Sequence, residues 1–247
     1  MQNKLNSFII IAMKLSILIP AYNEENYIQK VLSDIKAVNL SALFISEKEV
    51  IIINDGSRDK TVEKITSVMP QAKIIHHVKN QGKGASLASG MLHATGEIIL
   101  IQDADLEYSP MLYPLLLKPI INGYADAVYG SRFLNQKHPK DMRLPYFLAN
   151  LFGTSLTNLL YGTSLTDAMT CFKVFKSHTL KGIKLTCKGF DADAELTAKV
   201  SKRNFKIQEV PIPYKARTFS EGKKFHPLCS LRVLWAMIKF SFLRNTI

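Results

Sequence analysis

The sequence predicts an α/β fold with a mainly parallel central sheet flanked by helices. Short, apolar, β-branched runs alternate with amphipathic stretches of helical length, the pattern of strand–helix–strand units. Several runs stop abruptly on polar or glycine-containing clusters, as strands do where a parallel sheet hands the chain to a helix. With 247 residues, 47% hydrophobic and 21% charged, the chain can bury one large core but falls short of two typical domains.

Taken in order, Leu15–Ile19 reads as the first strand and ends at Pro20, with a helical stretch after Glu24. Val50–Ile53 is a fully buried strand stopped by Asn54-Asp55-Gly56-Ser57, and Asp59 is placed to cap the next helix at Thr61 and Val62. Lys73–Val78 is a third strand, followed by the glycine-rich loop Asn80–Gly84 and a helix over Ala85–Ala94. Glu97–Gln102 is a strand that ends on Asp103-Ala104-Asp105, and Asp126–Tyr129 another before Gly130-Ser131-Arg132. Beyond about residue 140 come an apolar helical region (Pro145–Tyr161), a short strand (Cys171–Phe175), a helix (Asp191–Arg203) and a strand (Lys206–Pro211). The expected division is an N-terminal extension over 1–12, one α/β domain over 13–226 and a C-terminal amphipathic helix over 227–247.

The formal charge of +12 draws anions: nucleic acid, acidic headgroups, or nucleotide and phosphate substrates. No zinc finger, RRM-like aromatic signature or long basic run is present, so nucleic acid is not an expected partner. The three cysteines, Cys171, Cys187 and Cys229, lack CxxC spacing and read as reduced thiols of a cytoplasmic protein. No apolar run reaches the roughly 20 residues that span a bilayer. Phe8–Ala12 is too short, and it lies upstream of Met13, a second start position before the first strand.

Ligands of an open parallel sheet bind at the carboxyl ends of its strands. Four polar clusters fall there: Pro20–Glu24, Asn54–Ser57, Asp103–Asp105 and Gly130–Arg132. Asp103 and Asp105, alternating with a small residue at the end of a buried strand, repel unless a cation sits between them. Such hard oxygens suit Mg²⁺ or Mn²⁺, with diphosphate oxygens completing the coordination; taken alone, the pair reads equally as turn chemistry before Pro110. Asp55, in a turn, offers acceptors to the N–H and hydroxyl donors of a nucleoside. The loop Asn80-Gln81-Gly82-Lys83-Gly84 leads into a helix, where its amides and Lys83 can meet an anion. Neither GxxxxGK[ST] nor GxGxxG occurs, which disfavours an ATPase and a dinucleotide cofactor.

Ser16-Ile17-Leu18-Ile19-Pro20-Ala21-Tyr22-Asn23-Glu24-Glu25, the NDGS turn, the GKG loop and the DAD together resemble inverting family-two glycosyltransferases with the GT-A fold, from residue 14 onward. Gly130-Ser131-Arg132-Phe133, Thr166–Phe172, Tyr214–Arg217 and Glu221–Lys224 look like polyprenyl-phosphate sugar synthases, the dolichol-phosphate mannose and glucose synthases in particular. The resemblance implies that Pro20, Tyr22, Glu24, Ile53 and Asp55 hold the nucleoside. It implies Asp103 and Asp105 as metal ligands, Ala104 against the donor, and Arg132, Arg217 and Lys223 on donor and acceptor phosphates. Asn54 stands where the family often has Asp, and Glu107 where many mannosyl members have Gln or Ser. The donor, GDP-mannose or UDP-glucose in type, is left open by those two positions.

A lipid phosphate is already anionic near neutral pH and needs no general base, whereas a sugar hydroxyl does. Asp191, Asp193 and Glu195 therefore carry two readings: charges favourable to a helix N-terminus, or a base for a saccharide acceptor. Leu231, Leu234, Trp235, Ile238 and Phe242 form one helical stripe flanked by Arg232, Lys239 and Arg244. The stripe fits a membrane interface or a helix docked on protein, the pattern favouring neither. The expected function is transfer of a hexose from a nucleotide-sugar to a polyprenyl phosphate. It would act peripherally on the cytoplasmic face of a membrane, or held there by a membrane-protein partner subunit. The alternatives are transfer to a glycan hydroxyl and a nucleotide-sugar-binding scaffold without catalysis.

Overall fold

A computed structural model describes residues 12–135, 139, 142–214 and 228–243. The strands are β1 (Met13–Ala21), β2 (Ile45–Asn54), β3 (Lys73–His76), β4 (Ile98–Ile101), β5 (Ala127–Ser131), β6 (Lys173–Lys176) and β7 (Ile207–Pro211). The helices are α1 (Ile28–Ala37), α2 (Thr61–Val68), α3 (Lys83–Met91), α4 (Tyr113–Ile121), α5 (Leu144–Tyr161), α6 (Ser177–Leu180), α7 (Ala192–Lys202) and α8 (Leu228–Phe242). The strands form one sheet in the order β3-β2-β1-β4-β6-β5-β7. β6 runs antiparallel to both β4 and β5, and the remaining pairs are parallel.

The near-continuous apolar runs of β1, β2 and β4 follow from burial on both faces. Successive side chains point to opposite sides of the sheet. Ile17, Ile19, Ile52, Leu100 and Val128 pack under Ile28, Leu32 and Ile35 of α1 and Tyr113, Leu116 and Leu117 of α4. Leu18, Ile51, Ile53, Ile99 and Ile101 face the other way, toward Leu87 of α3 and Leu196 and Val200 of α7. A third apolar cluster joins α5, α7 and α8.

Two expectations need correction. β2 begins at Ile45, five residues before the apolar run, because its first half (Ser46-Glu47-Lys48-Glu49) lies at the sheet margin and keeps polar side chains. Helix α4 escaped the reading because Pro114 and Pro119 interrupt its sequence. Pro114 lies in its first turn, where no N–H is needed, and five of its side chains are nevertheless buried.

α8 packs Val233, Ala236, Met237 and Phe240 onto Ala194 and Ala198 of α7 and onto Leu156, Leu160 and Tyr161 of α5. The stripe singled out in the sequence lies on its other side: Leu231, Trp235, Ile238 and Phe242 are exposed, and only Leu234 turns partly inward. Docking on protein and an outward apolar face thus coexist in one helix. Among the described residues no helix is long and apolar enough to cross a membrane.

Candidate active site

The parallel strands deliver their polar ends to one edge of the sheet, where a cavity of about 800 Å³ opens. Pro20, Tyr22, Glu24, Asp55, Lys83, Asp103, Ala104, Asp105 and Arg132 all line it, so nine sequence-named residues meet at one site. Ile53 does not. Its side chain is fully buried beneath α3, close to Gly90, because strand alternation turns it away from the cavity. Arg217 and Lys223 lie outside the described residues.

Two loops of the site are stitched together. Asn23, in the left-handed region at φ 49°, donates its N–H to Ser57 Oγ (3.0 Å) and accepts from the Arg58 N–H (2.9 Å). The Glu24 N–H donates to Thr61 Oγ1 at 2.8 Å, and Asn54 Oδ1 caps the Ser57 N–H at 3.0 Å. Asn54 thus closes the turn with a side-chain carbonyl where a carboxylate oxygen would serve equally.

Asp55 engages the glycine loop. Its Oδ1 is 2.6 Å from His77 Nδ1 and accepts from the Gln81 N–H (2.9 Å), while Oδ2 accepts from the Gly82 N–H (2.8 Å). His77 in turn reaches Ser89 Oγ through Nε2 at 2.9 Å. The amides of Gly84 and Ala85 donate to the Lys188 carbonyl. This corrects the reading of the loop amides as an anion cradle: the anion they hold is the protein's own Asp55. The glycines serve close packing, since a Cβ on Gly82 would strike the Lys188 carbonyl and one on Gly84 the Cys187 carbonyl.

Lys83 opens α3 and carries its ammonium to the carboxylates, 2.6 Å from Asp103 Oδ1 and 3.7 Å from Asp193 Oδ2. Burial alone would lower its pKa, but Asp103 and Asp193 outweigh that and hold it well above the ordinary lysine value. Asp193 also faces the fully buried Lys173 at 3.4 Å and accepts from Cys171 Sγ. Burial works against its charge too, yet the two lysines keep its pKa below the usual carboxylate range. Burial, followed by the nearby Asp193, pushes the Cys171 thiol well up, so it is a poor nucleophile.

The three acidic residues of the α7 start separate here. Asp193 lines the cavity. Glu195 points to the loop before α7, accepting from the Thr186 and Cys187 amides and pairing with Lys199 at 2.6 Å. Asp191 accepts from the Gly189 N–H. An i,i+4 relation between Asp191 and Glu195 is therefore no mark of a shared catalytic role.

Arg132 reaches the cavity from a buried socket. Its Nε donates to Asp167 Oδ2 (2.6 Å), and Nη2 donates to Asp167 Oδ1 (2.7 Å) and Asn150 Oδ1 (2.9 Å). Phe133 and Tyr214 stack within 5.2 and 5.1 Å of the guanidinium carbon. Desolvation is overcome by Asp167, so this cation stays charged. Sequence reasoning gave no role to Asp167 or Lys173. The available signal was a lysine inside an otherwise apolar strand, Phe172-Lys173-Val174-Phe175, which demands a buried partner.

Charge decides what can enter. Among the described residues the lining carries six carboxylates (Glu24, Asp55, Asp103, Asp105, Glu107, Asp193) against three cations (Lys83, Arg132, Arg143). Among these described lining residues the acidic excess favours a cation beside any diphosphate that binds. Asp103 and Asp105 present hard oxygens to the cavity, and no cluster of three or more metal-ligating side chains occurs among the described residues. Two carboxylates completed by phosphate and water oxygens suit Mg²⁺ or Mn²⁺, so the residues fit such an ion.

The lining also has an apolar share: Met142, Phe152 and Gly153 near or on α5, Met169, and Val233 and Leu234 on α8, interspersed with Arg143, Tyr146, Asn150 and Ser230. Elsewhere on the same helices Leu148 and Leu159 of α5 and Trp235 and Phe242 of α8 are exposed, as is Phe152 of the lining itself.

Residues 16–183 match the profile described as glycosyl transferase family 2. A dolichol-phosphate mannosyltransferase of Pyrococcus furiosus is 28% identical over 85% of this chain and 59% of its own length. A UDP-N-acetylglucosamine–dolichyl-phosphate N-acetylglucosaminyltransferase of Methanococcus voltae is 26% identical over 90% of this chain and 94% of that one. The fold matches glucosyl-3-phosphoglycerate synthase from Mycobacterium tuberculosis, solved with Mn²⁺, uridine diphosphate and phosphoglyceric acid. The TM-score is 0.71 at 17% identity, over 95% of this chain and 80% of that one.

Proposed function

The chain belongs to glycosyl transferase family 2, and from that premise we propose that it transfers a hexose, with inversion, from a nucleotide-sugar to a polyprenyl phosphate at a membrane surface. The observation that carries the acceptor is the mixed lining of the cavity: carboxylates from the strand ends share it with Met142, Phe152, Met169, Val233 and Leu234, and α5 and α8, which supply part of it, also carry exposed apolar residues. A phosphate with a prenyl tail uses both the polar and the apolar parts of that lining, whereas a saccharide calls mainly on the polar part. Two relatives whose names contain a dolichyl phosphate support the same acceptor.

Asp103 and Asp105 would hold Mg²⁺ or Mn²⁺, which when bound stabilises negative charge growing on the leaving nucleoside diphosphate. Pro20, Tyr22, Glu24 and Asp55 line the donor end, and Ala104 leaves room for the sugar. Asp55 already accepts three hydrogen bonds, and a carboxylate has about four lone-pair sites, leaving room for one donor from a nucleoside. Arg132, held rigidly by Asp167, orients a phosphate oxygen, and Arg217 and Lys223 are proposed as further phosphate cations. The acceptor oxygen is anionic near neutral pH, so no base is required. Asp193 would be a weak base for a glycan hydroxyl, because two lysines favour its ionised form.

Exposed apolar residues on α5 and α8, with Arg143, Arg232 and Lys239 beside them, suit peripheral contact with the acidic cytoplasmic leaflet. A membrane-protein partner subunit covering the same stripe is the competing arrangement.

The test is transfer of labelled sugar to a short polyprenyl phosphate, with a panel of GDP- and UDP-sugars and Mg²⁺ or Mn²⁺. Lipid-extractable product that is lost in Asp105→Ala and with a chelator is the expected result, and it names the donor. Product on a saccharide instead, with none on lipid, refutes the acceptor and leaves the donor site standing.

A further inference from the structure

The ammonium of Lys83 sits on one of the two carboxylates assigned to the metal. It is 2.6 Å from Asp103 Oδ1, with a second carboxylate, Asp193, waiting at 3.7 Å. The Lys83 side chain is only 10% exposed, so water screens these contacts little. Its backbone is fixed at the first position of α3 by the bonds of Gly82 to Asp55 and of Gly84 to Lys188. The flexible four-carbon stem is the part free to move. Asp193 is shared with Lys173, so it can take a larger share of Lys83 without leaving that partner.

A divalent ion on Asp103 and Asp105 brings two positive charges against this ammonium, and the two cations compete for one carboxylate oxygen. An incoming diphosphate changes the contest by offering the ammonium new anionic partners. We propose that Lys83 is an electrostatic latch that couples the two ligands: it opposes divalent-ion binding in the absence of nucleotide, and it shifts from Asp103 toward Asp193 and the diphosphate when both bind. By linkage, nucleotide and metal then each strengthen the other's binding. The inference rests on the metal role proposed for Asp103 and Asp105.

Mn²⁺ titration of the full chain, followed by the paramagnetic resonance of free Mn²⁺ with and without UDP or GDP, tests the latch apart from turnover. Lys83→Met removes the competing charge and should tighten Mn²⁺ binding in the absence of nucleotide about tenfold. The same variant should weaken metal-free binding of nucleoside diphosphate and shrink the coupling between the two ligands. Lys83→Gln serves if the methionine variant fails to fold, and Lys83→Arg, which keeps the charge, should behave as wild type. Unchanged or weaker Mn²⁺ binding in the neutral variants, with binding still abolished by Asp103→Asn, overturns the latch and leaves the metal site intact. No Mn²⁺ binding by the wild type even with nucleotide overturns the metal role and the latch together.

Discussion

Replacing Trp235 by serine isolates the membrane contribution of α8, because the indole points outward from a helix whose opposite face does the docking. The side chain is 66% exposed. For a tryptophan of roughly 250 Å² that leaves about 160 Å² in water, worth about 4 kcal/mol if wholly transferred to an apolar medium. A helix lying in the interface covers roughly half of such a side chain, so about 2 kcal/mol is at stake. That corresponds to roughly thirtyfold weaker partitioning. Folding stability should change by no more than about 0.5 kcal/mol, since the residue lies outside the core. Co-sedimentation with vesicles containing anionic lipid reads the partitioning, and thermal unfolding checks the fold. Wild-type partitioning by Trp235→Ser would refute the interfacial role. Dissociation of an oligomer in the same variant would assign the stripe to a protein partner instead.

Three other outcomes follow from named contacts. Asp167→Ala strands Arg132 in its buried socket and should cost about 3–5 kcal/mol in urea unfolding. Replacing both residues with apolar ones of similar volume should recover most of that stability and none of the transfer activity. Gly84→Ala places a Cβ on the Cys187 carbonyl and 2.5 Å from Ala192 Cβ, so it should lower stability by about 1–3 kcal/mol and displace Lys83, seen as a lower thermal midpoint with weakened nucleotide binding. Glu49 ties β2 to Ser16, Thr95 and Lys14, and these contacts outweigh burial to depress its pKa. A depressed carboxylate stabilises the fold above its unfolded value and loses that contribution as pH falls through the folded one. Glu49→Gln should therefore be less stable by about 1–2 kcal/mol at neutral pH. The deficit should close as pH drops below the ordinary glutamate value of about 4.3; a gap that persists at low pH would show that charge is not what Glu49 contributes.

Much of the site was readable because parallel strands must end somewhere, and their ends are polar. Asp103, Asp105, Asp55, Glu24 and Arg132 each follow an apolar run, and a shared strand direction puts them on one edge. Ile53, which only the family resemblance named, has its side chain turned under α3 by strand alternation, away from the cavity. Lys83 was legible as a cation in a glycine loop, but its occupation of Asp103 was not, because the two residues come from different strand–helix units.

Local sequence determined what periodicity and turn chemistry can determine: strands, most helices, and the polar clusters that end them. These depend on neighbours a few residues apart. Tertiary structure alone decided the pairings: Arg132 with Asp167, Lys173 and Lys83 with Asp193, and the face of α8 that docks on α5 and α7. Buried charges must find partners wherever the fold brings them, and such partners lie 20 (Lys173 and Asp193) to 110 (Lys83 and Asp193) residues apart with no period to announce them. α8 makes the same point for apolar surface: hydrophobic residues on both sides of the helix leave periodicity unable to say which side is covered, and only the position of α5 and α7 settles it.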